Sequence, residues 1–175
     1  MITRRELLRE EIPQVWSIDR SEVVDNVYQL ENGTLVLRPQ HIDVAGWPPG
    51  EADIYTPILL DCFDRGGWFY GAFDDAKLVG VVVLDNERIG KRKDQLQLKF
   101  LHVSNSFRKR GLGSQLFELA RSTARERGAK RLYVSATPSE NTINFYQRLG
   151  CAVTREPDAH LVELEPDDIH LECDV

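Results

Sequence analysis

The sequence has few of the residues that define several large classes of proteins. Its three cysteines, Cys62, Cys151 and Cys173, are spaced for neither a disulfide framework nor a metal site. Its longest apolar run, residues 78–84, is too short to span a bilayer. The first residues, MITRRELLREE, are charged and lack the apolar core of a signal peptide. We therefore expect a protein of the reducing cytosol, with no metal and no membrane association.

Positive charge is also scarce. The 22 Lys and Arg residues are outnumbered by 28 Asp and Glu residues, which gives a formal net charge of −6 at pH 7. A protein with this balance repels nucleic acid, so no nucleic-acid partner is expected. The consecutive cations Arg108, Lys109 and Arg110 are a local exception and therefore informative.

Hydrophobic periodicity predicts an α/β chain of mixed α+β type in a single domain. An amphipathic helix is predicted over residues 3–19, a hairpin turn at Asn32-Gly33, and an acidic Pro/Gly-rich loop over 40–53. Further helices are predicted over 56–66, 111–128 and 139–150. Strands are predicted over 68–75, 77–86, 94–103, 131–136, 151–156 and 169–175. The strand–helix–strand unit over 95–136 predicts a parallel strand pair in a mostly antiparallel sheet.

The strand over 94–103 changes its hydrophobic phase. Leu96, Leu98 and Phe100 alternate in one phase, and Leu101 and Val103 continue in the other. A β-bulge has this effect, because one extra residue exchanges the two faces. A strand that is buried on both faces would also be apolar in both phases.

The stretch FRKRGLGSQLF, residues 107–117, follows this strand and opens a helix. Successive backbone N–H groups at a helix start form an anion site, and Gly111 and Gly113 let an anion approach the backbone. With the three cations, this pattern favours a diphosphate. A Walker-type loop would need Gly-Lys-Ser/Thr, which is absent, and an ordinary tight turn with a solvated basic face is the alternative.

Arg108-x-x-Gly111-x-Gly113 resembles the Arg/Gln-x-x-Gly-x-Gly/Ala signature of the GCN5-related N-acetyltransferase (GNAT) superfamily. NFYQRLGCAV, residues 144–153, is similar to the FYxKxGF segment of that family, with Cys151 in place of the usual Phe. The resemblance is specific over about residues 77–155. It implies a twisted sheet whose parallel strand pair splays apart, flanked by helices, and acetyl-CoA as the cosubstrate.

The resemblance also implies roles for particular residues. The pantetheine arm would pair with the backbone of Leu101 and Val103. The position of the Asn that the family commonly carries is Ser139 here and the nearest Asn is Asn141, so one of these two residues would orient the coenzyme. Residues 1–76 would shape the acceptor site, 77–155 would bind acetyl-CoA, and 156–175 would close the sheet. The diphosphate would be held by Arg108, Lys109, Arg110, Gly111, Leu112, Gly113 and Ser114.

Acetyl transfer to an amine requires an acid for the leaving thiolate and a base for the ammonium proton. The resemblance places Tyr146 near the thioester sulfur, as the acid; packing of a helix on the sheet is the alternative. His102 is the candidate base because no carboxylate lies between Gln95 and Val103, although a structural histidine is equally compatible. Asp85 and Glu87 are the reserve candidates.

The acceptor is expected to be a small cationic amine. The N-terminal half is rich in acids and carries Trp47 and Tyr55, a combination that suits a cationic ligand. Its layout is weakly similar to that of streptothricin acetyltransferases. A protein or peptide acetyltransferase and a non-catalytic acyl-CoA-binding module are the alternatives, and a homodimer is compatible with the sequence. The acids are Asp19, Glu22, Asp25, Asp43, Glu51 and Asp53.

Overall fold

A seven-stranded sheet forms the centre of the computed structural model, which describes all residues from 1 to 175. Its strands are β1 (Ile2–Glu6), β4 (Trp68–Asp74), β5 (Lys77–Ile89), β6 (Gln95–Val103), β7 (Arg131–Ala136), β8 (Ala152–Val153) and β9 (Ile169–Asp174). They lie in the order β1-β4-β5-β6-β7-β9-β8, and a separate hairpin pairs β2 (Glu22–Glu31) with β3 (Thr34–Val44). The helices are α1 (Glu51–Asp64), α2 (Leu112–Glu126), α3 (Glu140–Arg148) and α4 (Ala159–Leu164).

The sheet is antiparallel except for the pair β6 and β7, which run parallel and are connected by α2. The predicted mixed sheet with one parallel pair is confirmed. The division of the chain at residues 76 and 155 stays a prediction.

Two hydrophobic cores lie on opposite faces of the sheet. Helices α2 and α3 cover one face, where Leu116, Phe117 and Ile143 are fully buried. Helix α1 and a 3-10 helix, Arg9–Ser17, cover the other face through residues such as Ile12 and Leu59. Each face of the sheet therefore has its own layer of helices, and β6 contributes side chains to both.

Strand β6 changes faces at a β-bulge. Phe100 pairs with Val83, but the next residue of β5, Leu84, pairs with Leu98, so Lys99 is the extra residue. Leu98 belongs to the core under α2, and Phe100 belongs to the core under α1. Two residues that are two apart would share a face in a regular strand, and the extra residue separates them. The bulge was expected from the phase change and lies one residue earlier than the pattern indicates.

The parallel pair separates after three residues. Gln95, Leu96 and Gln97 pair with Arg131, Leu132 and Tyr133, and the pairing ends there. Beyond this point β6 continues beside β5 and β7 continues beside β9. The separation opens a gap in the middle of the sheet, next to the bulge, as the family resemblance implies.

The β2–β3 hairpin packs against the start of α3. Its turn residues Asn32 and Gly33 both have positive φ, 48° and 79°, the geometry of the predicted two-residue hairpin turn. The hydroxyl of Tyr28 donates to Asn144 Oδ1 at 2.8 Å, and the N–H of Tyr28 donates to the Pro138 carbonyl at 2.8 Å. The hairpin thus flanks one end of the gap.

Two helix predictions and one loop prediction were wrong. Residues 3–19 form β1 and the 3-10 helix, because β1 pairs with β4 as the edge strand of the sheet and Pro13 has no N–H for an α-helical bond. Helix α1 begins at Glu51 after Gly50, five residues before the predicted start, and contains Pro57. The loop predicted over 40–53 shrinks to 45–50 because β3 extends to Val44. Helix α4 was not predicted.

None of the helices combines the length and the apolar composition needed to cross a bilayer.

Candidate active site

A cavity of about 660 Å³ occupies the gap between β6 and β7. It reaches from the loop before α2, past the bulge, to the segment of Arg20 and Glu22 beside the hairpin. Ten of the twelve residues predicted from the sequence line it: Leu101, His102, Val103, Arg108, Lys109, Gly111, Gly113, Ser114, Asn141 and Tyr146. The structure therefore brings most of the predicted site together around one space.

The loop before α2 presents free backbone donors to this cavity. None of the N–H groups from Lys109 to Ser114 donates to a backbone acceptor, and the first bonded amide of the helix is that of Gln115. Lys109 and Gly111 have positive φ, 59° and 81°, so the chain curls as it enters the helix. Such a run of free amides at a helix N-terminus binds a phosphate group well.

Gly113 keeps this loop open to a ligand. A Cβ built there would lie 3.4 Å from the ring of Phe145 and 3.8 Å from Val103, which is ordinary contact distance. A methyl group would thus fit the protein, and anything larger would project into the lined space. Gly111 is needed for a different reason, its positive φ.

Two predicted coenzyme residues do not line the cavity. Arg110 is exposed, with its guanidinium 5.8 Å from the ring of Phe107. The side chain of Leu112 is buried in the core under α2. Leu112 could therefore contribute its backbone N–H alone, and Arg110 could contribute only long-range charge.

The side chain of Arg108 is engaged by the protein. Its Nε donates to the Val103 carbonyl at 2.8 Å, and its two terminal nitrogens donate to the carbonyls of Ser21 and Asp19 at 3.2 and 3.3 Å. Glu22 is 3.8 Å away. Arg108 thus ties the end of β6 to the segment before β2, whereas the sequence predicted that it would hold phosphate. It also occupies the carbonyl of Val103 that was assigned to pantetheine, while Leu101 remains at the edge of the gap.

This arrangement gives a stability prediction. Arg108→Lys keeps the charge but cannot reach three carbonyls, so we expect the free energy of unfolding to fall by about 1–3 kcal/mol. The melting temperature should then fall by about 2–4 °C per kcal/mol. The exposed neighbour provides the control, since Arg110→Lys should leave the melting temperature unchanged. Equal melting temperatures for both variants would contradict the role of Arg108 as a tie.

Tyr146 reaches the cavity from α3, on the other side of the gap from β6. Its side chain is buried, at 7% relative exposure. Burial is the main cause that raises the pKa of its phenol above the ordinary value. The phenol is therefore protonated at neutral pH, which is the form that a proton donor requires.

Two polar residues at the start of α3 have different roles. Ser139 caps the helix, because its Oγ accepts from the N–H of Thr142 at 3.4 Å and donates to the Thr142 hydroxyl at 2.8 Å. Asn141 is free of this cap, lines the cavity and is exposed at its mouth. Asn141 is thus placed where the sequence analysis expected a coenzyme contact, while Ser139 is occupied.

His102 lies in an aromatic cluster on the α1 face of the sheet. Its ring is 4.7 Å from that of Trp47 and 4.5 Å from that of Phe100. Burial, with smaller contributions from Arg20 and Arg108, lowers the pKa of His102 to about 3. The predicted role as the base requires a histidine that titrates near neutrality. A group with this pKa holds a proton poorly, so His102 is a poor acceptor for the proton of an ammonium group.

The lowered pKa also predicts how stability depends on pH. The unfolded chain protonates His102 below about pH 6.5 and the folded chain only below about pH 3, so this residue should destabilise the fold as the pH falls through that window. Urea unfolding at about pH 7.5 and about pH 5 should show a smaller loss for His102→Phe than for the wild type. Exposed His160 is the control: His160→Gln should lose as much stability as the wild type. If His102→Phe lost as much stability between the two pH values as the wild type does, the lowered pKa of His102 would be contradicted.

The reserve candidates for the base lie away from the cavity. Asp85 is buried and forms ion pairs with Lys99 at 2.7 Å and Arg65 at 3.1 Å. Burial alone would raise the pKa of Asp85, but the bonds from Lys99, the Glu87 N–H and Arg65 lower it to about 2. Glu87 is exposed beside Arg65. Asp85 is therefore a structural anion that holds the bulge residue Lys99.

The predicted acidic lining is only partly present. Asp25 and Asp43 are exposed and flank His41 on the hairpin, and Asp53 is exposed on α1. Asp19 accepts from the N–H of Ser21 at 2.9 Å, in a local turn. Glu22 lines the cavity, and Glu51 is half-buried and lies 3.5 Å from Arg20, which also lines the cavity.

Two further carboxylates, which the sequence analysis did not single out, join Glu51. Burial raises the pKa of Glu165 and Asp168, as it does that of Glu51. Like-charge repulsion within the group adds to this rise, and Arg20 opposes it. Asp168 also accepts from Ser135 Oγ at 2.9 Å, and Ser135 lines the cavity. The pairing of β7 with β9 brings Asp168 to Ser135, a contact that no local sequence pattern marks.

A second cavity, of about 410 Å³, lies at the opposite end of the sheet and is lined only by polar and charged residues. Arg131 bridges Asp94 and Glu172 there. None of the predicted site residues faces it. No group of three or more His, Cys, Asp or Glu side chains is arranged to hold a metal ion.

Comparison with solved structures places this fold among acetyltransferases. Nourseothricin acetyltransferase superposes with a TM-score of 0.72 at 20% identity, over 99% of this chain and 98% of that one. PaiA N-acetyltransferase from Thermoplasma acidophilum, solved with coenzyme A, superposes with a TM-score of 0.65 at 16% identity, over 100% of this chain and 99% of that one. A Bacillus anthracis str. Ames protein assigned as a streptothricin acetyltransferase, solved with acetyl coenzyme A, superposes with a TM-score of 0.65 at 16% identity, over 100% of both chains.

Sequence comparison agrees with the fold. An uncharacterised N-acetyltransferase encoded in the pepI 3′ region of Lactobacillus delbrueckii subsp. lactis is 33% identical over 91 residues, which are 49% of this chain and 51% of that protein. The match thus spans about half the length of that relative. The model of the acetyltransferase (GNAT) family matches residues 25–151. The chain belongs to the acetyltransferase (GNAT) family, which confirms the family resemblance found in the sequence.

Proposed function

We propose that this chain transfers the acetyl group of acetyl-CoA to a primary amine of a small cationic molecule. The observation that carries the proposal is one continuous cavity that joins the free amides before α2, Tyr146 and the segment of Arg20. A coenzyme that enters between the two strands would bring its thioester to the bulge, with acceptor residues on the α1 face and Tyr146 on the α3 side.

Free backbone amides support the binding of the coenzyme in this proposal. Six consecutive amides from Lys109 to Ser114 are free to donate to the diphosphate. The edge of β6 that faces the gap would pair with the pantetheine arm near Leu101. A backbone N–H in this region would stabilise the oxyanion that forms when the amine attacks the thioester.

The reaction itself needs three proton transfers, because the nitrogen of the amine loses two protons and the leaving thiolate gains one. The amine must lose a proton before it attacks, because a lysine-like amine with a pKa of about 10.4 is almost fully charged at neutral pH. The coenzyme thiolate must gain a proton when it leaves. In our proposal Tyr146 is the donor, since its phenol is protonated and lines the cavity.

The charge at the acceptor end favours a cationic molecule. Arg20 is the one cation among the carboxylates Glu51, Glu165 and Asp168, so the group carries excess negative charge when these acids are ionised. These carboxylates attract ammonium groups by their opposite charge. The Trp47 ring is already covered by the Arg20 guanidinium, which lies 5.2 Å from the ring centroid, so the aromatic part of the expected lining is not open to the ligand. The fold shared with nourseothricin acetyltransferase supports an antibiotic-like amine in this class.

A charge-matched panel tests the acceptor class. Spermidine, streptothricin, glutamate and a lysine-containing peptide would be incubated with acetyl-CoA, and release of free thiol would be followed at low and high salt. We expect the two cationic small molecules to be acetylated, with KM rising as salt screens the carboxylates. Preference for glutamate would overturn the cationic class, and acetylation of the peptide alone would make the chain a peptide acetyltransferase.

The location and assembly proposed from the sequence are unchanged. All three cysteines are free thiols, which supports a reducing cytoplasmic environment. A homodimer stays compatible with the chain.

A further inference from the structure

The proposed reaction lacks a group to take the ammonium proton. His102 holds a proton too weakly, and Asp85 is fixed in ion pairs away from the cavity. Glu22 also lines the cavity, but it lies 3.8 Å from Arg108, so the group is sought among side chains that face the gap from β7 and β9.

Ser135 and Asp168 meet this requirement geometrically. Ser135 lies two residues beyond Tyr133, where β7 leaves β6, and it lines the cavity. Its hydroxyl donates to Asp168 Oδ2 at 2.9 Å. Asp168 lies directly before β9, which pairs with β7 in a register that sets Ala136 opposite Ile169. The carboxylate is half-buried behind the serine.

We infer that Ser135 and Asp168 form a proton relay that accepts the ammonium proton of the acceptor. This inference rests on the proposed acetyl transfer. Ser135 Oγ would contact the amine and is the catalytic residue, whereas Asp168 acts through Ser135.

The relay balances in protons and charge. The ammonium N–H bond breaks and its proton passes to Ser135 Oγ, while the proton on Ser135 Oγ passes to Asp168 Oδ2. The products are a neutral amine, a neutral serine and a protonated Asp168. The neutral amine then attacks the thioester carbonyl and forms the C–N bond. As the C–S bond breaks, Tyr146 protonates the leaving thiolate, and the second proton of the attacking nitrogen passes through solvent to the Tyr146 phenolate. Asp168 returns its proton to solvent after the acetylated product leaves.

The surroundings of Asp168 suit a proton acceptor. Burial raises the pKa of Asp168, and the Ser135 bond, His170 and Arg20 partly offset this rise. His170, whose Nδ1 lies 2.7 Å from the hydroxyl of Tyr133, has a pKa that burial lowers. The titratable or charged groups around Asp168 are Arg20 before β2, Glu51 on α1, Tyr146 on α3, Glu165 and Asp167 after α4, and His170 on β9.

Asp168→Asn tests the relay with little change of shape. An asparagine carbonyl can still accept from Ser135, but it cannot take up a proton. With spermidine as the acceptor, we expect kcat at about pH 7 to fall by about 10²–10³, within the usual range for the loss of a general base. KM for acetyl-CoA should stay within about twofold.

The pH profile separates a lost relay from a damaged site. The wild type should be nearly flat in kcat/KM between about pH 7 and pH 9 and should lose activity at acidic pH as Asp168 protonates. The Asn variant depends on amine that is already neutral, so its kcat/KM should rise about tenfold per pH unit over the same interval. A structural defect would lower the profile without changing its slope.

Two variants serve as controls. Ser135→Ala removes the relay atom from the cavity wall and should reproduce the steep profile. Asp167→Asn changes the exposed neighbouring carboxylate, which does not bond to Ser135, and it should keep the flat profile. Melting temperature and coenzyme A affinity would be measured for each variant. If Asp168→Asn does not fold, the pH profile of Ser135→Ala tests the relay on its own.

The outcomes are distinct. A flat profile with near wild-type kcat in both Asp168→Asn and Ser135→Ala would overturn the relay and leave acetyl transfer intact. If the wild type acetylates neither spermidine nor streptothricin, the proposed function fails and the relay fails with it.

Discussion

Tyr146→Phe should lower kcat by about 10²–10⁴ and leave the affinity for coenzyme A nearly unchanged, which is the usual result of removing a general acid. The phenol lines the gap between β6 and β7, and its raised pKa keeps the proton on it until the thiolate forms. Phenylalanine keeps the buried ring and its contact with the core under α2, so the fold should be preserved. Single-turnover kinetics of thiol release would measure the effect on the chemical step.

Tyr28→Phe is the matched control. Its hydroxyl bonds to Asn144 on the same helix, but it does not line the cavity. This variant loses one hydrogen bond to α3 and should keep kcat within a few-fold. If Tyr146→Phe were as active as Tyr28→Phe in single turnover, Tyr146 would have a packing role only.

Gly113→Val should raise the Kd of coenzyme A by about 100-fold, or about 2.7 kcal/mol. The Cβ itself fits beside Phe145, but the branched methyl groups would extend into the space where the free amides of the loop face the cavity. The phosphate could then no longer approach those amides closely. Isothermal titration of coenzyme A into each protein measures the change directly.

Gly46→Val serves as the control for this substitution. Gly46 also has φ outside the left-handed region, and a Cβ there meets no atom within 4 Å. It lies in the loop between β3 and α1, away from the amides. Wild-type affinity in Gly113→Val would mean that the diphosphate does not lie on this loop.

The parts of the site that are formed by residues close together in the chain could be predicted from the sequence. The two glycines and three cations before α2 identify the loop, because free amides at a helix start need only a few adjacent residues. The phase change along β6 revealed the bulge, since a face change is visible in the alternation itself. Tyr146 followed from a short segment after the loop and from the family resemblance.

The parts that depend on tertiary contact could not be predicted. Arg108 looked like a phosphate ligand, but its guanidinium finds carbonyls of residues 19 and 21, far away in the chain. His102 was assigned an ordinary pKa, which the rings of Trp47 and Phe100 remove by excluding water. Ser135 and Asp168 are 33 residues apart and meet only through the pairing of β7 with β9.

The measurement that tests the account most directly is acetyl transfer by the purified wild type, with thiol release and the mass of the amine product followed together. We expect one thiol released per acetylated spermidine or streptothricin, with Gly113→Val impaired in coenzyme binding and Tyr146→Phe impaired in turnover. Absence of coenzyme binding in the wild type, or tight binding without any acetylated amine, would contradict the assignment of the cavity as an N-acetyltransferase active site.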